Sequence, residues 1–477
     1  MMTLVTNPAV LSIFVMILLC LLRFNIFLSI ITAAITAGVM AKLQSVEVLD
    51  FSALSHSVLE SLDMMIQGMH GNLSTALSYV FLGILAIAIS KGNLTKVLIY
   101  KITLLVNKRN TLFCFFIAFI ACFSQNLIPI HIAFIPILIP PLLAVMNRMK
   151  LDRRAVACAL AFGLEAPYVC FPVGFGLIYH TIIKEQMGHK GIEVSIADIA
   201  SVMWIGGVAM AIGLVIAILI LYARPREYTQ EAIEEKFEIL ENVKLERKDY
   251  LALLSAVVAF GVQILSSSLP LGSFIGVLCM VAFRVIEWRK MDRIVEEGIG
   301  SMAFIAFVML VASGFGAVLD ASGGIQELAS SVASSVGGKF GGALLMLLVG
   351  LLITMGIGTS FGTLPIIATF YCPLCIELGF GVPATILLLG IAGALGDAGS
   401  PAADTTIGPT MGLNADGKHN HIWDTCVPTF IAFNIPLLIF GLVGAMILGC
   451  FVFVLHGFDL GKYDSHGFKK RAWDRLF

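Results

Sequence analysis

Gly-Asp-Ala-Gly-Ser-Pro-Ala-Ala-Asp-Thr-Thr, residues 396–406, stands between two apolar runs, 383–395 and 427–454. Two carboxylates, three hydroxyls, a proline and two glycines interrupt the hydrophobic chain there. A charged side chain at the centre of a spanning helix costs about 2.5 to 3.5 kcal/mol on insertion scales. Such residues persist where they face a polar cavity, an ion or a substrate. The stretch therefore points to transport rather than to anchoring.

The rest of the chain fits that reading. It has 477 residues, of which 58% are hydrophobic and 13% charged. A soluble domain carries roughly 25% charge. The composition is that of a polytopic membrane protein, all-α because lipid demands internally satisfied backbone. A net charge of -1 gives no sign of a nucleic-acid partner. The ten cysteines are scattered, and the Cys372-x-x-Cys375 pair has no second pair at zinc spacing, so it reads as packing. The N-terminus lacks a basic region and reads as a first spanning helix rather than a cleaved signal.

A spanning helix needs about 20 apolar residues. Candidate segments are 5–22, 24–41, 73–90, 111–146 (long enough for two passes or a hairpin), 155–183, 202–222, 250–265, 271–286, 301–319, 342–355, 363–378, 383–395 and 427–455. Several are short or broken by Pro and Gly, the pointer to broken helices and re-entrant hairpins. Residues 224–248 are rich in Glu, Lys and Arg and read as a solvated connector holding a short surface helix over 229–245. The expected layout is a membrane repeat over 1–222, a charged cytoplasmic linker over 223–249, a second repeat over 250–456 and a tail over 457–477.

The halves resemble each other. Ser-Gln-Asn-Leu-Ile-Pro-Ile (124–130) aligns with Ser-Phe-Gly-Thr-Leu-Pro-Ile (360–366), placing Pro129 on Pro365. Pro167 falls on Pro401, and Gly174 on Gly408. Duplication of this kind suits two inverted repeats with a site at their interface near the bilayer midplane. Basic clusters around 91–109, 148–154 and 284–293 place those loops in the cytoplasm.

The candidate site residues follow from this plan. Gly396, Gly399, Pro401, Gly408 and Pro409 cannot all sustain a regular helix. Unwound carbonyls, with Asp397, Ser400, Asp404, Thr405 and Thr406, offer the oxygens a dehydrated sodium ion wants; Asp397 and Asp404 are the expected sodium carboxylates. Glu165, a lone acid in an apolar run, reads as a proton carrier, as the partner of a substrate amine, or as an acid bonded to backbone amides. Asn126 and His131 lie at the break of the first hairpin, and Thr359, Ser360 and Thr363 at the break of the second. Asp320, ahead of Ser322-Gly-Gly, reads as a cap, an ion partner or an interface acid. His419 and His421 form an H-x-H in a loop expected to cap the site; they are also the sole candidates for a membrane enzyme's metal or base.

The motif at 396–406 resembles the G-D-x-x-S-P-x-S-D-T-T pattern of the NhaC-type sodium/proton antiporter family, in the ion transporter superfamily. Gly-Leu-Asn-Ala-Asp-Gly-Lys-His-Asn-His-Ile-Trp-Asp-Thr (412–425), then Asn-Ile-Pro-Leu-Leu-Ile-Phe-Gly (434–441), resembles a branch suspected of carrying amino acids, histidine among them. Residues 302–316 resemble the same branch. The resemblance implies inverted repeats, re-entrant hairpins and a homodimer, with Asp397, Ser400, Asp404, Thr405 and Thr406 lining the site. The pattern's second Ser is Ala403 here, so one hydroxyl of the family's set is missing. The expected protein is a cation-coupled secondary transporter of the bacterial inner membrane, not an enzyme. It would use sodium or protons and no other cofactor, and would carry an amino acid; sodium/proton exchange is the alternative.

Overall fold

The computed structural model describes residues 7–22, 24–45, 51–90, 110–126, 131–228, 246–266, 268–324 and 338–455. The side chains of Asn126 and His131, and the expected surface helix over 229–245, lie outside that description.

Among the described residues the chain is helical, with no strand. The first half runs α1 (Pro8–Leu21), α2 (Ile26–Ser45), α3 (Phe51–Gly68), α4 (Leu73–Ser90), α5 (Asn110–Asn126), α6 (His131–Arg148), α7 (Arg153–Cys170), α8 (Phe175–His189) and α9 (Ile196–Ile216). The second half runs α10 (Arg247–Ser266), α11 (Leu269–Ala282), α12 (Met291–Ala321), α13 (Lys339–Ile357), α14 (Ser360–Glu377), α15 (Val382–Ala394), α16 (Asp404–Leu413) and α17 (Ile435–Leu455). Among the described residues, five helices are long and apolar enough to cross a membrane: Phe27–Gln44, Ile196–Leu221, Lys339–Ile357, Ser360–Glu377 and His421–Gly449. On α9 and the π-helical turn Ala217–Leu221 that continues it, Ile212, Val215, Leu219 and Ile220 are exposed, as a lipid-facing surface requires.

The long run 111–146 divides into α5 and α6, and 155–183 into α7 and α8, which meet at a 46° bend. α3 was absent from the candidate spans because its Glu60 and Asp63 dilute its apolar run.

Packing crosses the sequence halves. α12 lies against α2, α3, α4 and α14, and α11 against α4. α7 packs on α5, α9 and α16, and α15 on α9, α13, α14 and α17. The opening helices of both halves thus associate, as do the later helices of both. Gly83 and Gly298 let α4 and α12 touch: a Cβ on Gly83 would lie 2.4 Å from the Gly298 carbonyl.

In the second half α13 and α14 meet at a break and are followed by α15 and α16; in the first half α5 and α6 precede α7 and α8. The proline register read from sequence does not map break onto break. Pro365 lies inside α14 and Pro167 inside α7, whereas Pro401 stands in the break itself. A proline ends a helix only where its missing N–H and ring are not accommodated, so matching prolines need not mark matching bends.

Candidate functional site

The α13/α14 hairpin turns at Gly358 and Thr359, where Gly358 adopts the left-handed conformation (φ +74°). The first turn of α14 then faces the loop between α15 and α16. That loop is opened by Gly396 (φ +92°) and Gly399 (φ +116°), values that side chains rarely reach.

Asp397 is the hub of the site. Its buried carboxylate accepts from the Ser360 hydroxyl (2.6 Å), the Ser360 backbone amide (3.2 Å) and the Tyr168 hydroxyl (2.9 Å) on Oδ2, and from Thr405 (2.9 Å) on Oδ1. The Tyr168 and Ser360 oxygens lie 3.0 Å apart. One side chain therefore joins α7, the second hairpin and the loop ahead of α16. The N-terminus of α14, with its free amides and positive dipole end, points at this charge.

The other motif hydroxyls serve the loop. Ser400 donates to the Met355 carbonyl (2.8 Å), tying the loop to α13. Thr405 also donates to the Asp397 carbonyl (3.0 Å), and Thr406 to the carbonyls of Ser400 and Ala403. Thr363 bonds the Thr359 carbonyl (2.9 Å) within the hairpin. The expectation that these hydroxyls and carbonyls face an ion together meets a different arrangement: they largely face each other, because unwound backbone buried in protein takes the nearest donors. Ala403 occupies the N-cap position of α16 with no side-chain cap.

Asp404 opens the first turn of α16. Glu165 is fully buried on α7, one turn before Tyr168, and neither of its carboxylate oxygens has a hydrogen-bond partner. The backbone amide of Ala398 is the nearby polar group that favours its charged form. Asp320 ion-pairs with Lys190, which follows α8. It lies within electrostatic reach of Cys372, twelve residues along α14 from Ser360. That distance is roughly 18 Å of helix, so Asp320 is an ion partner away from the hub. Asn126 ends α5 and His131 begins α6.

Three residues of the site escaped the sequence reading. Tyr168 closes the run Gly-Leu-Glu-Ala-Pro-Tyr (163–168), but nothing local shows where its hydroxyl ends. Asn434 clamps the second break, accepting from the Gly396 amide (2.6 Å) and donating to the Ala398 carbonyl. It is a lone amide in an apolar run, placed by π-helical turns at His421–Cys426 and Phe430–Asn434. His180 holds the first break, its Nε2 lying 3.1 Å from the Val169 carbonyl. Beside the hub, Tyr168, Tyr179 and Phe361 stack mutually with centroids 5.0 to 5.7 Å apart, and Phe175 joins at Phe361.

A second polar cluster closes the N-terminal end of α7. Arg153, fully buried, forks onto both Asp416 oxygens at 2.7 and 2.6 Å. Arg226 bonds Asp424 at 2.7 Å, and Tyr228 lies under both guanidinium groups. Burial alone would raise the Asp416 carboxyl, but hydrogen bonds and charge from Arg153 outweigh it and hold it below the usual range. His419 donates to or accepts from Thr425 (2.7 Å), and His421 contacts Thr410 (2.7 Å) and the Pro401 carbonyl (2.9 Å). The H-x-H pair therefore braces the loop.

Comparison with known proteins bears on this geometry. The family model described as the Na+/H+ antiporter family matches residues 159–442, and one described as the Na+-H+ antiporter family matches 7–106. An uncharacterized membrane protein of Haemophilus influenzae is 44% identical over 463 residues, covering 93% of this chain and 100% of the relative. YuiF of Bacillus subtilis, whose name proposes an amino acid transporter, is 43% identical over 406 residues, covering 82% and 91%. In fold the chain is similar to MtrF of Neisseria gonorrhoeae, described with a class of antimetabolite efflux pumps (TM-score 0.61, 14% identity, 89% of this chain and 95% of that one). It is also similar to the YdaH transporter of Alcanivorax borkumensis, described as having an unusual topology (TM-score 0.58, 15% identity, 95% and 100%).

Proposed function

The chain belongs to the Na+/H+ antiporter family and is a cation-coupled transporter of the lipid bilayer; on that premise we propose that it carries an amino acid across the bacterial inner membrane. The observation that carries the reading is Asp397, a buried carboxylate held by groups from three separate elements. Cargo bound at that junction is in contact with the second hairpin and the broken helices at once. Alternating access then follows from moving one set of helices against the other while the site travels or opens with them.

The cargo chemistry follows from the surroundings. The ring cluster of Tyr168, Tyr179 and Phe361 suits an organic side chain, an imidazole included, and the α14 N-terminus suits a carboxylate. The name of the YuiF relative supports the same class. In this reading 1–222 and 250–456 are inverted repeats about the 223–249 connector, and the protein works as a homodimer. Asp397, with Ser360 and Tyr168, lines the site, and sodium or protons supply the drive. The family description favours a second reading, sodium/proton exchange without organic cargo.

Uptake of labelled amino acids into proteoliposomes, with imposed sodium or proton gradients, tests the proposal. Uptake of one amino acid that needs a cation gradient and fails in Asp397→Asn is expected. Sodium-driven proton movement with no amino-acid uptake would transfer the assignment to exchange.

A further inference from the structure

Two buried carboxylates stand at the crossing of the broken helices, and their hydrogen bonding is opposite. Asp397 takes four donor contacts. Glu165 is 0% exposed, and among the described side chains none hydrogen-bonds either of its oxygens. Its electrostatic neighbours are the Asp397 carboxylate and the Ala398 backbone amide.

Among the described side chains, the titratable groups around Glu165 supply no positive charge at this level; His180 on α8 lies at the Val169 carbonyl, and the side chain of His131 on α6 lies outside the description. Tyr168 on α7 and Tyr179 on α8 are within its field. α5 presents its Ala121–Cys122 backbone opposite Gly163. α15 has no titratable residue, and α9 has none after Asp198 at its first turn. α16 contributes Asp404, and the π turn beyond it His421, Asp424 and Cys426. The bases nearest along this cluster, Arg153 and Arg226, are already bound to Asp416 and Asp424. Arg153 is twelve residues from Glu165 on the same helix, roughly 18 Å away.

A carboxylate so placed is compensated only by a cation, since an uncompensated buried charge is among the most expensive groups a fold can hold. We propose that Glu165, not Asp397, takes the coupling cation, a monovalent ion that is either sodium or a proton. Asp397 is the fixed anion whose lone pairs are spent on joining the hairpin to the broken helices. The proposal rests on the reading that cargo binds at the Asp397 hub. It deepens that reading by separating the two roles: a cation on Glu165 lowers the negative field at the hub, and by reciprocity cargo at the hub alters cation affinity.

The test compares the full-length purified protein with Glu165→Gln, Glu165→Asp and Asp397→Asn. Melting temperature is measured in sodium chloride against choline chloride across a pH series. The expected result is a wild-type minus Glu165→Gln difference that changes with sodium, with pH, or with both. Dependence on sodium identifies sodium as the ion, and dependence on pH alone identifies the proton. Glu165→Asp keeps the charge and should retain the dependence, with a half-saturating concentration shifted by about tenfold. This variant carries the test if Glu165→Gln does not fold. A difference flat in both variables, or a Glu165→Asp profile superimposable on wild type, overturns the proposal. The hub reading fails separately, if Asp397→Asn transports cargo as wild type does.

Discussion

Ser360 and Asp397, 37 residues apart, are joined twice: hydroxyl and backbone amide of Ser360 both donate to the same carboxylate oxygen, at 2.6 and 3.2 Å. The amide bond is set by the α14 N-terminus and survives mutation; the hydroxyl bond does not. Ser360→Ala removes a hydrogen bond to a charged group, worth about 1.5 to 3 kcal/mol. We expect a lower melting temperature and roughly tenfold weaker cargo binding, read by thermal unfolding and by uptake kinetics. Unaltered uptake in Ser360→Ala would show that the hairpin contact is not part of the binding surface.

Asn434 supplies both halves of a clamp across the second break. Asn434→Ala leaves the Gly396 amide and the Ala398 carbonyl without partners in a buried setting, each a loss of about 1 to 3 kcal/mol. Asn434→Asp keeps the acceptor for Gly396 but loses the donor to Ala398, and it brings a further carboxylate to the Asp397 loop. Both variants should melt below wild type in a thermal scan. If Asn434→Ala melts with wild type, the loop is held by other contacts.

Gly399 has no room for a side chain. Its φ of +116° is unfavourable for any L residue, and a Cβ would meet the Phe430 Cβ at 2.6 Å and Cα at 2.9 Å. Gly399→Ala should lower stability by at least about 2 kcal/mol, measured by denaturant or thermal unfolding of the purified protein. A stable Gly399→Ala would mean that the loop and the π-helical segment are not packed this closely.

Ala403 stands where the family pattern has a second serine. The structure puts that position at the N-cap of α16, where a hydroxyl accepts from the free amides of the first turn. Ala403→Ser should therefore raise stability by about 1 kcal/mol and leave the sodium dependence of melting unchanged. An altered sodium dependence would instead place this hydroxyl among the ion's ligands.

His419 gives the protein an acid-side sensitivity outside the spanning helices. Burial pushes the imidazole from 6.5 down to about 4, against the pull of Asp424 and with help from Arg153 and Arg226. The folded protein thus holds it neutral, while the unfolded chain protonates it as pH falls below 6.5. Stability is unaffected above that value and declines as pH falls toward 4, by an amount on the order of 3 kcal/mol. Asp416, held below its usual value by Arg153, loses its contribution lower still. His419→Gln should flatten the decline of melting temperature between pH 6.5 and 4. A decline of wild-type steepness in the variant would place the sensitivity in another group.

The apolar runs and the Gly/Pro/Ser/Thr breaks were legible in the linear chain, because insertion into lipid and helix rupture depend on local composition. The break at 358–359 falls where that composition placed it, whereas the second, at 395–403, ends before Gly408 and Pro409, which lie inside α16. Tertiary structure decided what the polar residues of those breaks do. Thr405, Thr406 and Thr363 look like ion ligands in the sequence but bond backbone carbonyls or Asp397 once the loop closes. Asp320, which shares its apolar setting with Asp397, pairs with a lysine 130 residues away. Asn434 and Tyr168 reach the hub only because π turns and a bent helix aim them there. The direction of a side chain is set by the rotation of its helix and by partners distant along the chain, and neither is written in the residues beside it. The lone acid at 165 was visible from the first reading; that it stands unbonded beside a fully bonded Asp397 is a property of the packed structure alone.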